Sequence, residues 1–335
     1  MTISFIVLNW HNEAETTECI ESLRDLKGDD TKQIIIVDNE STEDSYRGLQ
    51  SLSGCIIVRN ATNLGFAGGV NSALPHVTGE AIALINNDCV VEKNWLVNAK
   101  KILFSSKNIG AVGGKEFFWN SDNPVWDTTN DCLSAPLINA EYGYPLSTNR
   151  DLGSTYVAGL MGSNMLLRAD LFQKLGGFDE DFFAYCEETD LCTRIIASGY
   201  KLVYSPTLAI WHKRNLSSNK VPFLKYYLSS RNKIIFIAKN YPDNRWRRMV
   251  FDAGFHSFRT AITGTKNGIV HAIKNHQELL SLTERRANLA AAWWALTHQS
   301  YLRKKRSTNK QAGSFDNNLP RLLHELQDEP KSFTS

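Results

Sequence analysis

Leu84-Ile85-Asn86-Asn87-Asp88-Cys89-Val90-Val91 decides how this chain is read. A short apolar run ends in two amides and one carboxylate, and a second apolar pair follows. An acidic group that closes a buried strand of an α/β protein faces the crevice outside the strand ends, where ligands of such folds bind. A lone carboxylate there suits a hard divalent ion, Mg²⁺ or Mn²⁺, which keeps its other positions for water and phosphate oxygens. Asp88 is therefore the candidate metal ligand, and Asn86 and Asn87 add hydrogen bonds without charge. A plain strand-end turn is the alternative. Three other stretches favour the ligand site: Ser4-Phe5-Ile6-Val7-Leu8-Asn9-Trp10, Ile36-Val37-Asp38-Asn39 and Glu187-Glu188-Thr189-Asp190.

Outward from this stretch, strand and helix signals alternate. Strand Ile3–Asn9 precedes a helix with Cys19, Ile20, Leu23 and Leu26 on one face. Strands follow at Gln33–Val37, Cys55–Val58 and Ala81–Ile85. Near-continuous apolar strands in repeated βα units predict a mostly parallel sheet covered on both faces. From Ile109 to Gly153, mixed aromatics, Asn and Pro predict loops and irregular strands around a site. A helix is expected at Ala169–Leu175, stopped by Gly176-Gly177, and another at Glu187–Ser198. Short strands are expected at Lys201–Tyr204 and Leu208–Trp211.

The 335 residues are 42% hydrophobic and 21% charged, an ordinary globular composition. No basic leader precedes the first strand, and no apolar run reaches membrane-spanning length. Six scattered cysteines without a C-x-x-C pair suggest reduced thiols of a cytoplasmic protein. The net charge of +2 conceals a split. Residues 1–212 hold 15 Lys and Arg against 27 Asp and Glu, whereas residues 213–310 hold 20 against 4. That split predicts two units, 1–215 and 216–310, with a polar, loosely ordered tail at 311–335, and an anionic partner for the second unit. The second unit reads as mainly helical, interrupted at Tyr241-Pro242-Asp243-Asn244. Its last helix, Glu284–Arg306, sets Leu289, Trp293 and Leu296 on one side and ends in Arg303-Lys304-Lys305-Arg306.

Several groups carry chemistry. Asp38 closes a buried strand and can accept hydrogen bonds from a ribose or base, although a turn or cap would use the same residue. Asn63-Leu64-Gly65-Phe66-Ala67-Gly68-Gly69-Val70-Asn71 is a glycine-rich loop entering a helix, whose backbone N–H groups could approach a diphosphate. It satisfies neither the dinucleotide fingerprint nor the P-loop. His212 closes a short strand and is the candidate second metal ligand, with a satisfied half-buried histidine as the alternative. Glu187-Glu188-Thr189-Asp190 opens a helix, where acids suit the dipole. Two adjacent carboxylates also repel, which raises one pKa toward a general base's working range. Phe182-Phe183-Ala184-Tyr185 would supply a ring-stacking wall for a sugar.

Together these residues resemble the inverting glycosyltransferases of family two, which have a GT-A fold: a Rossmann-like, mostly parallel sheet flanked by helices. The resemblance covers roughly the first 240 residues and follows the family's motif order. It is most similar to the bacterial rhamnosyltransferase-like branch, through Asn63–Asn71 and Tyr226-Tyr227-Leu228-Ser229-Ser230-Arg231-Asn232. It implies donor contacts from Leu8, Asn9, Asp38, Asn63, Gly65, Asn71 and Asn87. It implies acceptor contacts from Gly162, Ser163, Asn164 and Asp190, metal ligation by Asp88 and His212, and Glu188 as the base with Glu187 beside it. Two departures stand out. The family's Asp-x-Asp is Asn86-Asn87-Asp88 here, which weakens the metal site, and its Glu-Asp pair is Glu187-Glu188.

The implied reaction moves a sugar, L-rhamnose from dTDP-rhamnose or a hexose from a UDP donor, to a glycan or lipid-linked glycan during surface polysaccharide or lipopolysaccharide synthesis. A Rossmann dehydrogenase lacks its glycine fingerprint here. A basic nucleic-acid-binding protein is the alternative of another class, but no helix-turn-helix, zinc or RNA-binding signature supports it, so nucleic acid is not an expected partner. The basic second part, with Trp293-Trp294, predicts either peripheral attachment to an anionic inner membrane face or a homo-oligomer interface.

Overall fold

Alternation along each central strand divides the core into two layers. In β1 (Thr2–Asn9), Ile3, Phe5 and Val7 join one apolar cluster and Ile6 joins the other. The same two-residue period sends Ile34 and Ile36 of β2 (Thr31–Asn39) to the first cluster and Ile35 and Val37 to the second. In β4 (Ala81–Ile85), Ala81, Ala83 and Ile85 face the first and Ile82 and Leu84 the second. A strand buried on both faces needs apolar residues at every position, which explains the near-continuous runs.

The computed structural model describes residues 1–118, 132–133, 137–138, 145–146, 154–213, 221–241, 246–263 and 281–308. Helix α1 (Glu13–Arg24) follows β1, and α2 (Glu43–Gln50) joins β2 to β3 (Cys55–Asn60). Helix α3 (Gly65–Ser72) leads to β4, then β5 (Cys89–Val91), α4 (Trp95–Leu103) and β6 (Ile109–Phe118). The short strands β7 (Cys132–Leu133), β8 (Leu137–Ile138) and β9 (Pro145–Leu146) follow. The strands and helices that complete the sheet layer are β10 (Thr155–Val157), β11 (Asn164–Arg168), α5 (Ala169–Lys174), α6 (Glu187–Ala197) and β12 (Lys201–His212). Helices α7 (Pro222–Asn240), α8 (Trp246–Thr263), α9 (Leu282–Thr297) and α10 (Gln299–Thr308) form the remainder.

The main sheet has the order β10-β12-β6-β11-β4-β1-β2-β3. It is parallel across β4, β1, β2 and β3, as the βα repeat predicts. Beyond β4 it is mixed: β11 lies antiparallel between β4 and β6, and β12 runs parallel to β6. The mixed half departs from a mostly parallel sheet because β11 enters between β4 and β6 in the opposite direction.

Three expectations need correction. Residues 109–118 form a regular strand rather than a loop; most of 119–153 lies outside the described residues, as does the tail. The two short strands after α6 are one strand, β12, with a register shift between Ser205 and Ile210. The helix expected over Glu284–Arg306 breaks at His298 into α9 and α10.

Helices α7 to α10 share an apolar cluster with Phe182, which lies just before α6. Asp190 ties the same region together by contacting Arg194 Nε at 2.8 Å, Lys239 Nζ at 2.8 Å and Asn240 Nδ2 at 3.0 Å. Burial alone would raise the Asp190 pKa, but Lys239 and Arg194 outweigh it and hold it at about 2. A depressed carboxylate pKa contributes stability above the unfolded value of 3.8 and loses it as pH falls through about 2. Acid titration of the unfolding midpoint should therefore show a steep loss across that window. In Asp190→Asn the loss in that window should shrink, on a baseline already lowered by the orphaned cations.

Candidate active site

The parallel strands β1, β2 and β4 end on one edge of the sheet, and their following residues build a cleft of about 470 Å³. Leu8, Trp10, Asn39 and Asn86-Asn87-Asp88 line it from this edge. Gly162 and Ser163, just before β11, and Glu187 and Glu188, opening α6, face it from the other side.

Asp88 and His212 meet because β5 pairs with the end of β12, setting His212 opposite Cys89. His212 Nε2 lies 3.0 Å from Asp88 Oδ1. Its Nδ1 lies 3.3 Å from Glu116 Oε2, so the ring is held from both sides. Burial opposes the charged imidazole, but Cys89, Asp88 and Glu116 prevail and raise its pKa. Asp88, Cys89 and His212 have donor atoms within 4.8 Å of one another. The oxygen and imidazole donors fit a divalent ion. Cys89 fits less well, since burial pushes its thiol up to about 11.

Glu116 carries no sequence signal, yet it is fully buried and also accepts a hydrogen bond from the Ser163 hydroxyl. It thus links the candidate acceptor side of the cleft to the candidate metal side. Phe183 and Tyr185 of the expected aromatic wall line the cleft, and Trp10, Phe66 and Lys225 are further lining residues outside the sequence-derived set.

Glu187 and Glu188 sit side by side, and each has one buried oxygen without a hydrogen-bond partner. Burial raises both pKa values, and each carboxyl perturbs the other. Glu187 is more enclosed, while Glu188 keeps more surface toward the cleft. The loop before them is conformationally unusual: Phe183, Tyr185 and Cys186 have φ of 65°, 72° and 70°. Such left-handed residues cost about 1–3 kcal/mol each unless their surroundings fix them. Here α7 fixes them. Asn232 Nδ2 donates to the carbonyls of Phe182, Ala184 and Tyr185, all at 2.7 Å. Arg231 adds bonds to the carbonyls of Asp181 and Phe182. Asn232→Ala should lower stability by about 3 kcal/mol through orphaned carbonyls and also slow turnover; urea unfolding and initial-rate kinetics on one preparation check both effects.

The glycine loop serves as a wall. Gly65 has a φ of +71°, and a side-chain carbon there would come within 2.3 Å of the Phe183 carbonyl, so only glycine fits. Its amide donates to Asn63 Oδ1, the Leu64 amide to Asn39 Oδ1 and the Ala67 amide to the Phe183 carbonyl. These N–H groups are occupied internally, which removes the expected diphosphate cradle at Leu64, Gly65 and Ala67.

Five sequence-derived residues lie off the cleft lining. Asn9 bonds Ser41 Oγ at 2.9 Å and Thr16 Oγ1 at 2.8 Å. Asn71 is clamped to the backbone of Phe178 through both ends of its amide. Asn164 accepts from Trp95 Nε1 and donates to the Leu208 carbonyl. Asp190 is committed to its cations, so it is a structural carboxylate rather than an acceptor contact. Asp38 is fully buried beside Asn9 with Arg59 Nε 3.5 Å away, and it does not line the cleft either. Leu8, Asn63, Gly65, Asn87, Asp88, Gly162, Ser163, Glu187, Glu188 and His212 all do.

A mixed sheet with a carboxylate–histidine pair at its strand ends and a carboxylate pair opposite defines a GT-A fold. The chain matches "Glycosyl transferase family 2" over residues 4–176, more than half its length, and it belongs to that family. It is 25% identical over 200 residues to the O-antigen chain rhamnosyltransferase WbaN of Salmonella anatum, covering 58% of this chain and 60% of that one. It is 33% identical over 91 residues to the N-acetylglucosaminyl-diphospho-decaprenol L-rhamnosyltransferase of Mycobacterium tuberculosis, covering 27% of this chain and 29% of that one. The chain thus spans less than two thirds of these curated relatives. Its fold is similar to that of the mannosyltransferase PcManGT from Pyrobaculum calidifontis, solved with GDP-Man and Mn²⁺. There the TM-score is 0.57 at 16% identity, covering 89% of this chain and 87% of that one.

Proposed function

We propose that this protein is an inverting, metal-dependent glycosyltransferase that moves L-rhamnose from dTDP-rhamnose to a hydroxyl of a glycan or lipid-linked glycan. The observation that carries it is a single cleft with Asp88 and His212 at one wall and Glu187 and Glu188 at another. The rhamnosyl donor and a role in surface polysaccharide synthesis take their support from the names of the relatives.

Asp88 and His212 would hold Mg²⁺ or Mn²⁺, which supplies positive charge beside the diphosphate leaving group. Leu8 and Asn63 would shape the nucleoside end. Glu188 takes the proton of the acceptor hydroxyl. The acceptor oxygen forms its bond to the anomeric carbon as the bond to the diphosphate breaks on the opposite face, and the nucleoside diphosphate departs with the electron pair. Glu116 holds Ser163 and His212 in place, while Trp10, Phe66 and Tyr185 offer apolar surface to a sugar ring.

Thermal unfolding with dTDP-rhamnose, UDP-glucose and GDP-mannose, with and without Mn²⁺, tests this assignment. The accepted donor should add about 2.7 kcal/mol of stability at roughly one hundred times its Kd, and only with metal. A UDP-hexose that stabilises more than dTDP-rhamnose would replace the rhamnosyl assignment. No stabilisation by any donor would remove the transferase assignment.

A further inference from the structure

Helices α8 and α9 leave several of their large apolar residues on the outside. On α9 the alanines Ala287, Ala291 and Ala295 point inward and are buried. Leu282, Leu289, Trp293 and Leu296 point outward, with Trp293 67% exposed. Helix α8 lies against the alanine side, where Gly254 faces Ala295. Its own outward stripe is Phe251, Phe255, Phe258 and Ile262, spaced at four, three and four residues, with Phe251 65% exposed. Two adjacent helices thus turn their large apolar residues to the outside after their small ones have satisfied the packing. An apolar face of this extent on a folded protein marks an interaction surface.

Cations are set into the same face. Arg286 falls between Leu282 and Leu289 on their stripe, and Arg248 and Arg259 flank the phenylalanines; all three are exposed. Of the nearby acids, Asp252 lies 3.8 Å from Arg248, and Glu284 is bound to Ser281 in the helix cap. The surrounding segment 213–310 has 20 basic residues against 4 acidic ones. A second copy would bring the same cations to this face and be repelled. An anionic bilayer brings opposite charge and an apolar interior together. No helix among the described residues is long and apolar enough to cross a membrane, so the contact is with the bilayer surface.

The face ends near the cleft. Arg285 donates to the carbonyls of Ala261 and Ile262, which sets the start of α9 beside the end of α8. Ser230 bonds Asn288, which sets the first half of α7 beside the first half of α9. Val221 and Leu224, at the start of α7, are exposed and line the cleft. We infer that the α8–α9 face docks on an anionic lipid bilayer and so presents the cleft to a lipid-linked acceptor, the second part resting on the transferase function proposed above. The attachment differs from the one expected from sequence. Trp294 packs partly buried against the core of the helices and stacks on His298, Lys305 is paired with Asp179 and Asp181, and Arg306 is buried against the carbonyls of Ala238 and Tyr241.

The test is co-sedimentation of the full chain with vesicles of phosphatidylcholine alone and of equimolar phosphatidylcholine and phosphatidylglycerol, at low and high salt. Wild type should bind the mixed vesicles about tenfold or more tightly than the neutral ones, less so at high salt. Phe255→Ser/Trp293→Ser, which changes only exposed positions, should weaken binding about tenfold or more with an unchanged thermal midpoint and unchanged donor-induced stabilisation. Absence of binding to either vesicle, or equal binding to both, would overturn the docking surface. A salt-resistant dimer in sedimentation equilibrium that the double variant dissociates would also overturn it and assign the face to a second copy. Vesicle binding without transfer to any lipid-linked acceptor would leave the docking face standing and overturn acceptor delivery.

Discussion

Glu188→Gln lowers turnover about a hundredfold or more, the usual scale for a general base, while donor binding and folding persist. Gln keeps the shape and removes the proton acceptor. The buried pair tolerates the change because burial already favours the uncharged form of both carboxyls. Glu187→Gln should cost less, since Glu187 is the more enclosed member and acts by keeping its neighbour's charge and position. The pH dependence follows from the raised pKa values. A base works only when deprotonated, so the ascending limb of kcat/KM should lie above the ordinary glutamate value of 4.5. In Glu187→Gln that limb should move up, because the hydrogen bond from Glu187 that favours the charged form of Glu188 is weakened. If Glu187→Gln is the slower enzyme, the two roles exchange; if neither is slowed, the pair is only a helix start.

Asp88→Ala removes transfer on the order of a thousandfold or more, because several kcal/mol of charge stabilisation at the leaving diphosphate depends on that site. It should also abolish the metal dependence of nucleotide binding. Asn86→Ala should be milder, since Asn86 contributes only a 3.5 Å contact to His212 and no charge. Titration calorimetry of nucleoside diphosphate with and without Mn²⁺ separates the two variants. Wild-type activity that survives excess chelator would recast Asp88 as a direct hydrogen-bonding group.

Local pattern reveals the first half of the fold because each strand there alternates between two core layers and each helix follows at once. β4 spans Ala81–Ile85, and Asp88 and Glu188 line the cleft, as their positions at a strand end and a helix start imply. The sequence conceals what depends on distant pairing. Glu116 acts because β6 lies between β11 and β12, and nothing in Lys115-Glu116-Phe117 foretells its contacts with Ser163 and His212. Asn71 and Asn164 have the residue type of a ligand contact, but the fold uses their amides to join loops and strands. The outward apolar faces of α8 and α9 are equally hidden, because spacing shows that Leu289 and Trp293 share a side but not which side is buried.

The most direct test is the product of the reaction. The 335-residue chain, Mn²⁺ and dTDP-rhamnose, with UDP-glucose in parallel, are incubated with prenyl-diphosphate-linked N-acetylglucosamine, and the new glycosidic bond is read by nuclear magnetic resonance. The expected product has an anomeric configuration opposite to that of the donor, and is formed by wild type and lost in Asp88→Ala and Glu188→Gln. A product of retained configuration, or release of nucleoside diphosphate from neither donor by wild type, would contradict the inverting transferase assignment.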